Sequence, residues 1–100
     1  YTRSGNPTRT AFEKHAALLE KASVALSFGT GMAALNTILR LADGSKSEEV
    51  LCCDDVYGGM HRLLAKVLPR QGVKHRFINC TDASNVASEL TMNTKIVHVE

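Results

Sequence analysis

The sequence predicts an α/β fold, with a mainly parallel sheet and helices on both of its faces. Two observations lead to this class: short apolar runs alternate with segments of helical periodicity, and a glycine turn joins the first run to a helix. Strands are expected near residues 23–28, 50–53, 73–78 and 96–99. The first of them, with Val-Ala-Leu at its centre, should be buried, and the third, with a more polar face, should lie nearer an edge. Because parallel sheets bind ligands at the carboxyl ends of their strands, the segments after these strands are the expected site.

The first helix is predicted to begin at Pro7, with Thr8 as its capping residue. Phe12, Ala16 and Leu19 recur at helical spacing and would form the apolar stripe that faces the core.

Three further helices are expected, and each follows a turn. One spans residues 31–42 until an Asp-Gly-Ser sequence breaks it, and a second follows the glycine pair at 58–59 and ends near Gly72. Asp82 is predicted to cap the third.

Composition is that of an ordinary globular protein, with 44% hydrophobic residues, 22% charged residues and a net charge of +2. The basic residues are scattered, so nucleic acid is not an expected partner, and no apolar stretch has the length of a membrane span. Three cysteines, two of them adjacent, predict buried reduced thiols rather than a disulfide framework, and the four histidines lack metal-site spacing. With no secretory signal pattern and a chain that starts at Tyr1, we expect a cytoplasmic fragment of a longer polypeptide.

The turn GTGMAA at residues 29–34 is suited to holding a phosphate. It aims backbone N–H groups at one spot in front of a helix, where the helix dipole adds roughly half a positive charge. The turn also satisfies the dinucleotide-binding pattern G-x-G-x-x-A, and Asp54 ends the next strand where a ribose-binding acid would sit. That interpretation leaves the polar segment at 1–9 and the Tyr-Gly-Gly sequence at 57–59 without a role.

Three segments together have a common explanation. YTRSGNPTR at 1–9, GMAA at 31–34 and DDVYGG at 54–59 resemble the pyridoxal-phosphate enzymes of cysteine and methionine metabolism, the trans-sulfuration family. The strand NTKIVHVE at 93–100 is similar to the family's strand just ahead of its cofactor-contacting asparagine, so that the resemblance covers the whole chain.

The resemblance implies that the chain is part of the large cofactor-binding domain of a fold-type I, aspartate-aminotransferase-like enzyme that uses pyridoxal 5′-phosphate. Residues 1–9 would be an arm that reaches the neighbouring subunit's cofactor, and residues 10–100 an incomplete cofactor-binding α/β domain. The partners implied are a sulfur-containing amino-acid substrate and further copies of the chain, in at least a dimer and with a tetramer expected.

The same resemblance assigns the phosphate-binding residues. Tyr1 and Arg3 match the family's tyrosine and arginine that reach a neighbour's cofactor phosphate, and guanidinium geometry suits a phosphate. Arg3 is also expected near the substrate. The backbone amides of Gly31 and Met32 match the family's phosphate cradle, and Thr30 stands where a serine is more usual.

Tyr57 matches the tyrosine that stacks on the pyridine ring, and it is the expected acceptor of the substrate amine's proton. Arg62 matches a substrate-contacting arginine of one branch of the family, whereas a solvated helix residue is the competing interpretation. Met60 departs from the threonine common at its position, which bears on local substrate contacts.

Within the family, the segments SGNP at 4–7 and DVY at 55–57 look closest to the cystathionine gamma-lyase branch. That branch would convert cystathionine to cysteine, 2-oxobutyrate and ammonia. The beta-lyase, gamma-synthase and methionine gamma-lyase branches remain alternatives. The family's catalytic lysine lies further downstream, so the chain alone is expected to be catalytically inactive. A non-enzymatic truncated product that binds phosphate or pairs with full-length subunits is the alternative of another class.

Overall fold

Two units make up the chain in the computed structural model, which describes residues 1–100: Tyr1–Ala34 and Leu35–Glu100. The helices are α1 (Pro7–Leu19), α2 (Gly31–Leu39), α3 (Gly58–Arg62) and α4 (Ala83–Glu89). The strands are β1 (Glu49–Cys53), β2 (Lys74–Ile78) and β3 (Thr94–His98).

The second unit is built on a parallel sheet in the order β2-β1-β3. All five residues of the central strand β1 are buried, whereas β2 and β3 are partly exposed. The parallel sheet and the edge position of β2 confirm two predictions. In register, Cys53 lies beside Ile78 and Cys52 beside His98, so that the carboxyl ends of the three strands meet at one edge.

The core of the second unit lies around β1 and the helical segment after it. α3 continues through a π turn at Leu63–Val67 and a 3₁₀ turn at Leu68–Gln71, and the segment ends at Gly72, whose φ of 79° is left-handed. The predicted helix is therefore present but is not a regular α-helix throughout. The largest fully buried side chains of this unit are Leu39, Val50, Leu51, Cys52, Met60, Leu64 and Leu68.

A part-buried ion pair between Glu49 of β1 and Arg76 of β2 lies where β1 and β3 begin. Glu49 is 8% exposed, and its Oε1 and Oε2 accept hydrogen bonds from the Arg76 guanidinium at 2.8 and 3.1 Å. Thr94 and Thr91 donate to the same carboxylate at 2.9 and 3.1 Å, and Glu89 accepts from Arg76 at 2.6 Å. The hydrogen bonds of Arg76, more than those of the threonines, lower the pKa of Glu49 to about 2.

Capping differs between prediction and structure at α1 and agrees at α4. α1 begins at Pro7, as predicted, but Asn6 is its cap: Asn6 Oδ1 accepts from the N–H groups of Thr8 and Arg9 at 2.9 and 3.2 Å. Thr8 is the second residue of the helix, where its side chain cannot accept hydrogen bonds from the N–H groups of the first turn as an N-cap does. At α4, Asp82 accepts from the Ser84 N–H at 2.8 Å, which confirms its predicted role.

The predicted apolar stripe of α1 is wrong within this chain. Phe12 is 64% and Leu19 83% exposed, and Ala17 is the buried residue of the helix. Helical spacing marks a face that requires a packing partner, and the first unit supplies only a short chain segment to cover it.

The predicted buried strand near residues 23–28 is also wrong, and the sheet has three strands rather than four. No strand pairs with this segment, and Val24 and Leu26 are 67% and 71% exposed. Glu13 Oε1 holds the segment instead, because it accepts from the N–H and hydroxyl of Ser27 at 2.8 and 2.7 Å. A strand forms only with a neighbour, and apolar runs do not report whether one is present.

Candidate active site

The start of α2 is a place where an anion can bind. Thr30 Oγ1 accepts from the Ala33 N–H at 3.0 Å, and the Thr30 carbonyl accepts from the Ala34 N–H at 3.2 Å. The N–H groups of Gly31 and Met32 make no hydrogen bond within the chain. We call these two N–H groups the phosphate cradle. They are the first donors of a helix, where the dipole favours negative charge.

Space in front of the phosphate cradle is open. Beyond its chain neighbours and the backbone of its own helix, a Cβ added at Gly31 would have no atom within 4 Å, so the glycine leaves room for a ligand atom close to the backbone. The geometry therefore fits a phosphate group held by main-chain donors.

The structure brings the two predicted residues of the arm together. Residues 2–4 form a turn, in which the N–H groups of Ser4 and Gly5 donate to the Tyr1 carbonyl at 3.0 Å. Arg3 Cζ lies 5.0 Å from the centroid of the Tyr1 ring, and both side chains are exposed. A guanidinium stacked on a phenol keeps its donors free, so this pair can receive an anion.

Tyr57 and Arg62 lie at the two ends of α3 in the second unit. Tyr57 is the N-cap residue, with its side chain 60% exposed, and Arg62 is the exposed last residue. The Tyr57 carbonyl accepts from the His61 N–H at 3.1 Å, which forms the first turn of the helix. His61 in turn stacks on Phe77 of β2, with ring centroids 4.6 Å apart. α3 thus presents both predicted side chains from a helix that is anchored to the sheet.

A pocket of about 230 Å³ lies where the three strands end. Its walls come from the residues that follow β1, β2 and β3, as the parallel topology requires. The lining residues are Cys53, Asp54, Asp55, Cys80, Thr81, Val99 and Glu100.

Glu100 follows the last predicted strand and so lies in one of the segments expected to form the site, although the sequence analysis gave it no individual role. Its Oε2 lies 3.4 Å from the Tyr57 backbone nitrogen, which donates to it, and 3.4 Å from His98 Nε2. An acidic residue directly after a strand is the signal that could have pointed to it, although the long-range contact with Tyr57 is visible only in the fold.

The cysteines are free thiols, and Cys52 and Cys53 are buried as predicted. Burial raises the pKa of the Cys52 thiol to about 12, so this group is neutral and unreactive at physiological pH. No group of three or more His, Cys, Asp or Glu side chains is placed to hold a metal ion. None of the helices combines the length and the apolar composition needed to cross a bilayer.

Comparison with known proteins decides whether the glycine turn is typical of a dinucleotide-binding protein or of a pyridoxal-phosphate enzyme. The family model described as Cys/Met metabolism PLP-dependent enzyme matches residues 1–100. The chain belongs to this family. The dinucleotide interpretation of the glycine turn is thereby set aside, and the predicted fold class is confirmed.

Relatives of the chain within the Cys/Met metabolism PLP-dependent family are named as cystathionine lyases. The chain is 47% identical over its full length to the chloroplastic cystathionine beta-lyase of Mimosa pudica, and covers 21% of that protein. It is 40% identical to the cystathionine gamma-lyase of Rattus norvegicus, of which it covers 25%. The structure matches a cystathionine gamma-lyase from Lactobacillus plantarum complexed with L-serine, with a TM-score of 0.88 and 36% identity, over 97% of this chain and 25% of that one. The chain therefore spans about a quarter of the length of these relatives.

The residues present fit the family's cofactor. A pyridoxal phosphate requires main-chain donors for its phosphate and a flat side chain for its ring, and the phosphate cradle and Tyr57 have these properties. The cradle donors are unused and the space before them is open, whereas the Tyr57 side chain is exposed.

Proposed function

We propose that the full-length protein containing this chain is a carbon–sulfur lyase that cleaves cystathionine. The observation that carries the proposal is the match, over all 100 residues of this chain, to part of relatives named cystathionine lyases, together with the free N–H groups of the phosphate cradle. Bound pyridoxal phosphate would supply an electron sink for the charge that develops at the substrate's Cα.

Each predicted residue has a task in this proposal. Gly31 and Met32 hold the cofactor phosphate through their N–H groups, and the phenol of Tyr57 stacks on the ring and accepts a proton from the substrate amine. Arg62 contacts the substrate. Tyr1 and Arg3 serve the phosphate of a neighbouring subunit, and Arg3 lies near the substrate there, so the proposal includes a homo-oligomer of at least two subunits.

We propose beta-elimination as the first candidate reaction. Cystathionine and water would give homocysteine, pyruvate and ammonia. The supporting observation is the higher identity to the beta-lyase of Mimosa pudica, 47%, than to the gamma-lyase of Rattus norvegicus, 40%.

Gamma-elimination is the second candidate, in which cystathionine and water would give cysteine, 2-oxobutyrate and ammonia. It is supported by the residues at 4–7 and 55–57, which look closest to gamma-lyases, and by the match to the Lactobacillus plantarum structure.

The test incubates the full-length native protein with cystathionine and identifies the thiol and the oxo acid by mass spectrometry. Homocysteine with pyruvate supports beta-elimination, and cysteine with 2-oxobutyrate supports gamma-elimination. A protein that binds pyridoxal phosphate but releases neither thiol would contradict the proposed substrate.

A further inference from the structure

The carboxylate of Glu100 joins the end of β3 to the start of α3. Glu100 Oε2 accepts a hydrogen bond from the Tyr57 backbone N–H, with 3.4 Å between nitrogen and oxygen. The two residues are 43 positions apart in sequence, so the contact depends on the parallel pairing of β1 with β3. Both residues belong to the second unit.

The start of α3 lacks a side-chain cap. Tyr57 is the N-cap residue but caps the helix with no side-chain hydrogen bond, and the α-helical segment is five residues long. The helix is anchored to the sheet from His61 onward, where that ring stacks on Phe77, whereas the main chain of Tyr57 lies before this contact. The Tyr57 N–H has Glu100 as its acceptor within the chain.

The orientation of the Tyr57 ring depends on its main chain. The side chain is 60% exposed, and its hydroxyl makes no hydrogen bond within the chain. The main chain at position 57 sets the direction of the Cα–Cβ bond, and χ1 and χ2 place the ring from there. A contact that holds this N–H therefore limits where the ring can lie.

A second contact holds the carboxylate itself. His98 Nε2 lies 3.4 Å from the same oxygen of Glu100, and the His98 side chain is 20% exposed against 46% for Glu100. When Nε2 carries its proton, the imidazole donates to the carboxylate and restricts its rotamers. The neighbouring carboxylates at the pocket, Asp54 and Asp55, do not contact the Tyr57 N–H.

We propose that Glu100 is a positioning residue for the cofactor-stacking tyrosine: it fixes the Tyr57 main chain, and His98 holds Glu100 in place. The inference rests on the proposed function only in assigning the stacking role to Tyr57. It adds to that function a carboxylate that acts without touching cofactor or substrate.

Three substitutions at position 100 of the full-length protein separate the effect of side-chain length from the effect of charge. Glu100→Gln keeps the length and an acceptor oxygen, Glu100→Asp keeps the charge but shortens the side chain, and Glu100→Ala removes both. Lys95→Ala is the matched control, since Lys95 is an exposed charged residue on the same strand. Three quantities are measured: kcat on cystathionine, the circular dichroism of the bound cofactor in its visible absorption band, and amide hydrogen exchange of the peptide that contains residues 57–62.

We expect Glu100→Asp and Glu100→Ala to lower kcat about tenfold, because a misplaced side chain costs rate without blocking binding. Both should weaken the cofactor's visible dichroism and speed exchange in the 57–62 peptide, with little change in cofactor affinity. Glu100→Gln should stay within about twofold of the native protein. His98→Ala should change the same readouts in the same direction but less, and it tests the inference if Glu100→Ala does not fold.

The inference is overturned if Glu100→Asp and Glu100→Ala match Lys95→Ala in dichroism and exchange, or if Asp restores the native values while Gln does not. Failure of the proposed function is a different result, in which the native protein binds the cofactor but leaves cystathionine intact. Dichroism and hydrogen exchange still decide the role of Glu100 in that case.

Discussion

Gly31 contributes to the candidate site through its backbone and through the side chain it lacks. Its N–H has no partner in the chain, and a Cβ there would enter open space in front of α2. Two properties of one residue can therefore be tested separately.

Replacing Gly31 by alanine keeps the N–H and fills part of the space, whereas proline also removes the N–H. Proline is tolerated at the first position of a helix, so Gly31→Pro should leave α2 folded. We expect the dissociation constant of pyridoxal phosphate to rise for both variants. The rise should be about tenfold larger for proline, because a hydrogen bond to a charged phosphate is lost. Absorbance titration of the full-length apoprotein measures this, and equal constants for the two variants would contradict a role for the N–H.

Tyr57 is assigned two roles, and phenylalanine separates them. Tyr57→Phe keeps the ring for stacking but removes the group that would accept a proton. We expect kcat on cystathionine to fall about 100-fold, which is the usual lower range for loss of a general acid–base group. The visible absorbance of the bound cofactor should be retained. Unchanged turnover would show that the phenol moves no proton in the slow step.

At the scale of elements, the clearest disagreement between prediction and structure is the cap of α1. Both Asn6 and Thr8 are residues that cap helices, and Pro7 lies between them. The difference is positional: proline occupies the first helical turn, so the cap must precede it.

Asn6→Ala should destabilise the first turn of α1 by about 1 kcal/mol, because the N–H groups of Thr8 and Arg9 lose their acceptor. Thr8→Ala is the matched control, and we expect a change of less than about 0.5 kcal/mol. Amide hydrogen exchange of the peptide covering residues 6–12 in the full-length protein reports the local opening free energy. If the two variants exchange alike, the Asn6 cap does not stabilise α1.

At the scale of the molecule, Glu49 connects the three strands at the end of the sheet away from the pocket, through its ion pair with Arg76 of β2 and the hydrogen bond that it accepts from Thr94 of β3. Its contribution depends on pH with a definite sign. The pKa of Glu49 is about 2 in the folded protein, below the 4.5 of an unperturbed glutamate. Between these values the unfolded chain binds the proton and the folded one does not, so acid favours unfolding. The stabilisation is complete above about pH 4.5 and is lost as the pH falls through about 2.

Glu49→Gln should lower the free energy of unfolding at pH 7 by about 2 kcal/mol, since hydrogen bonds to a charged carboxylate are lost while Arg76, which is 36% exposed, keeps Glu89 as a partner. At pH 3 the difference in the free energy of unfolding between native protein and variant should be less than half of its value at pH 7. Urea midpoints of the full-length protein at the two pH values measure it. Glu20→Gln, at an exposed site after α1, is the control and should show little gap at either pH. A gap of equal size at both values would contradict the low pKa of Glu49.

The sequence alone determined those features that depend on residues close together along the chain. The alternation of apolar runs and helical spacing predicted the parallel sheet and the positions of β1, β2 and β3, and the glycine turn predicted a phosphate site at the start of α2. Asp82 was identified as a cap because capping depends on neighbours two residues away. The family resemblance, too, rested on short segments that are read without the fold.

Only the tertiary structure decided which apolar residues are buried and which distant residues meet. Val24 and Phe12 have the pattern of a core but no partner within their unit, and burial is a property of pairs of elements. Glu100 meets Tyr57 across 43 positions because the parallel sheet brings the carboxyl ends of its strands to one edge. Spacing along the chain does not show which distant residues meet, so the contact between Glu100 and Tyr57 could not be predicted from the sequence.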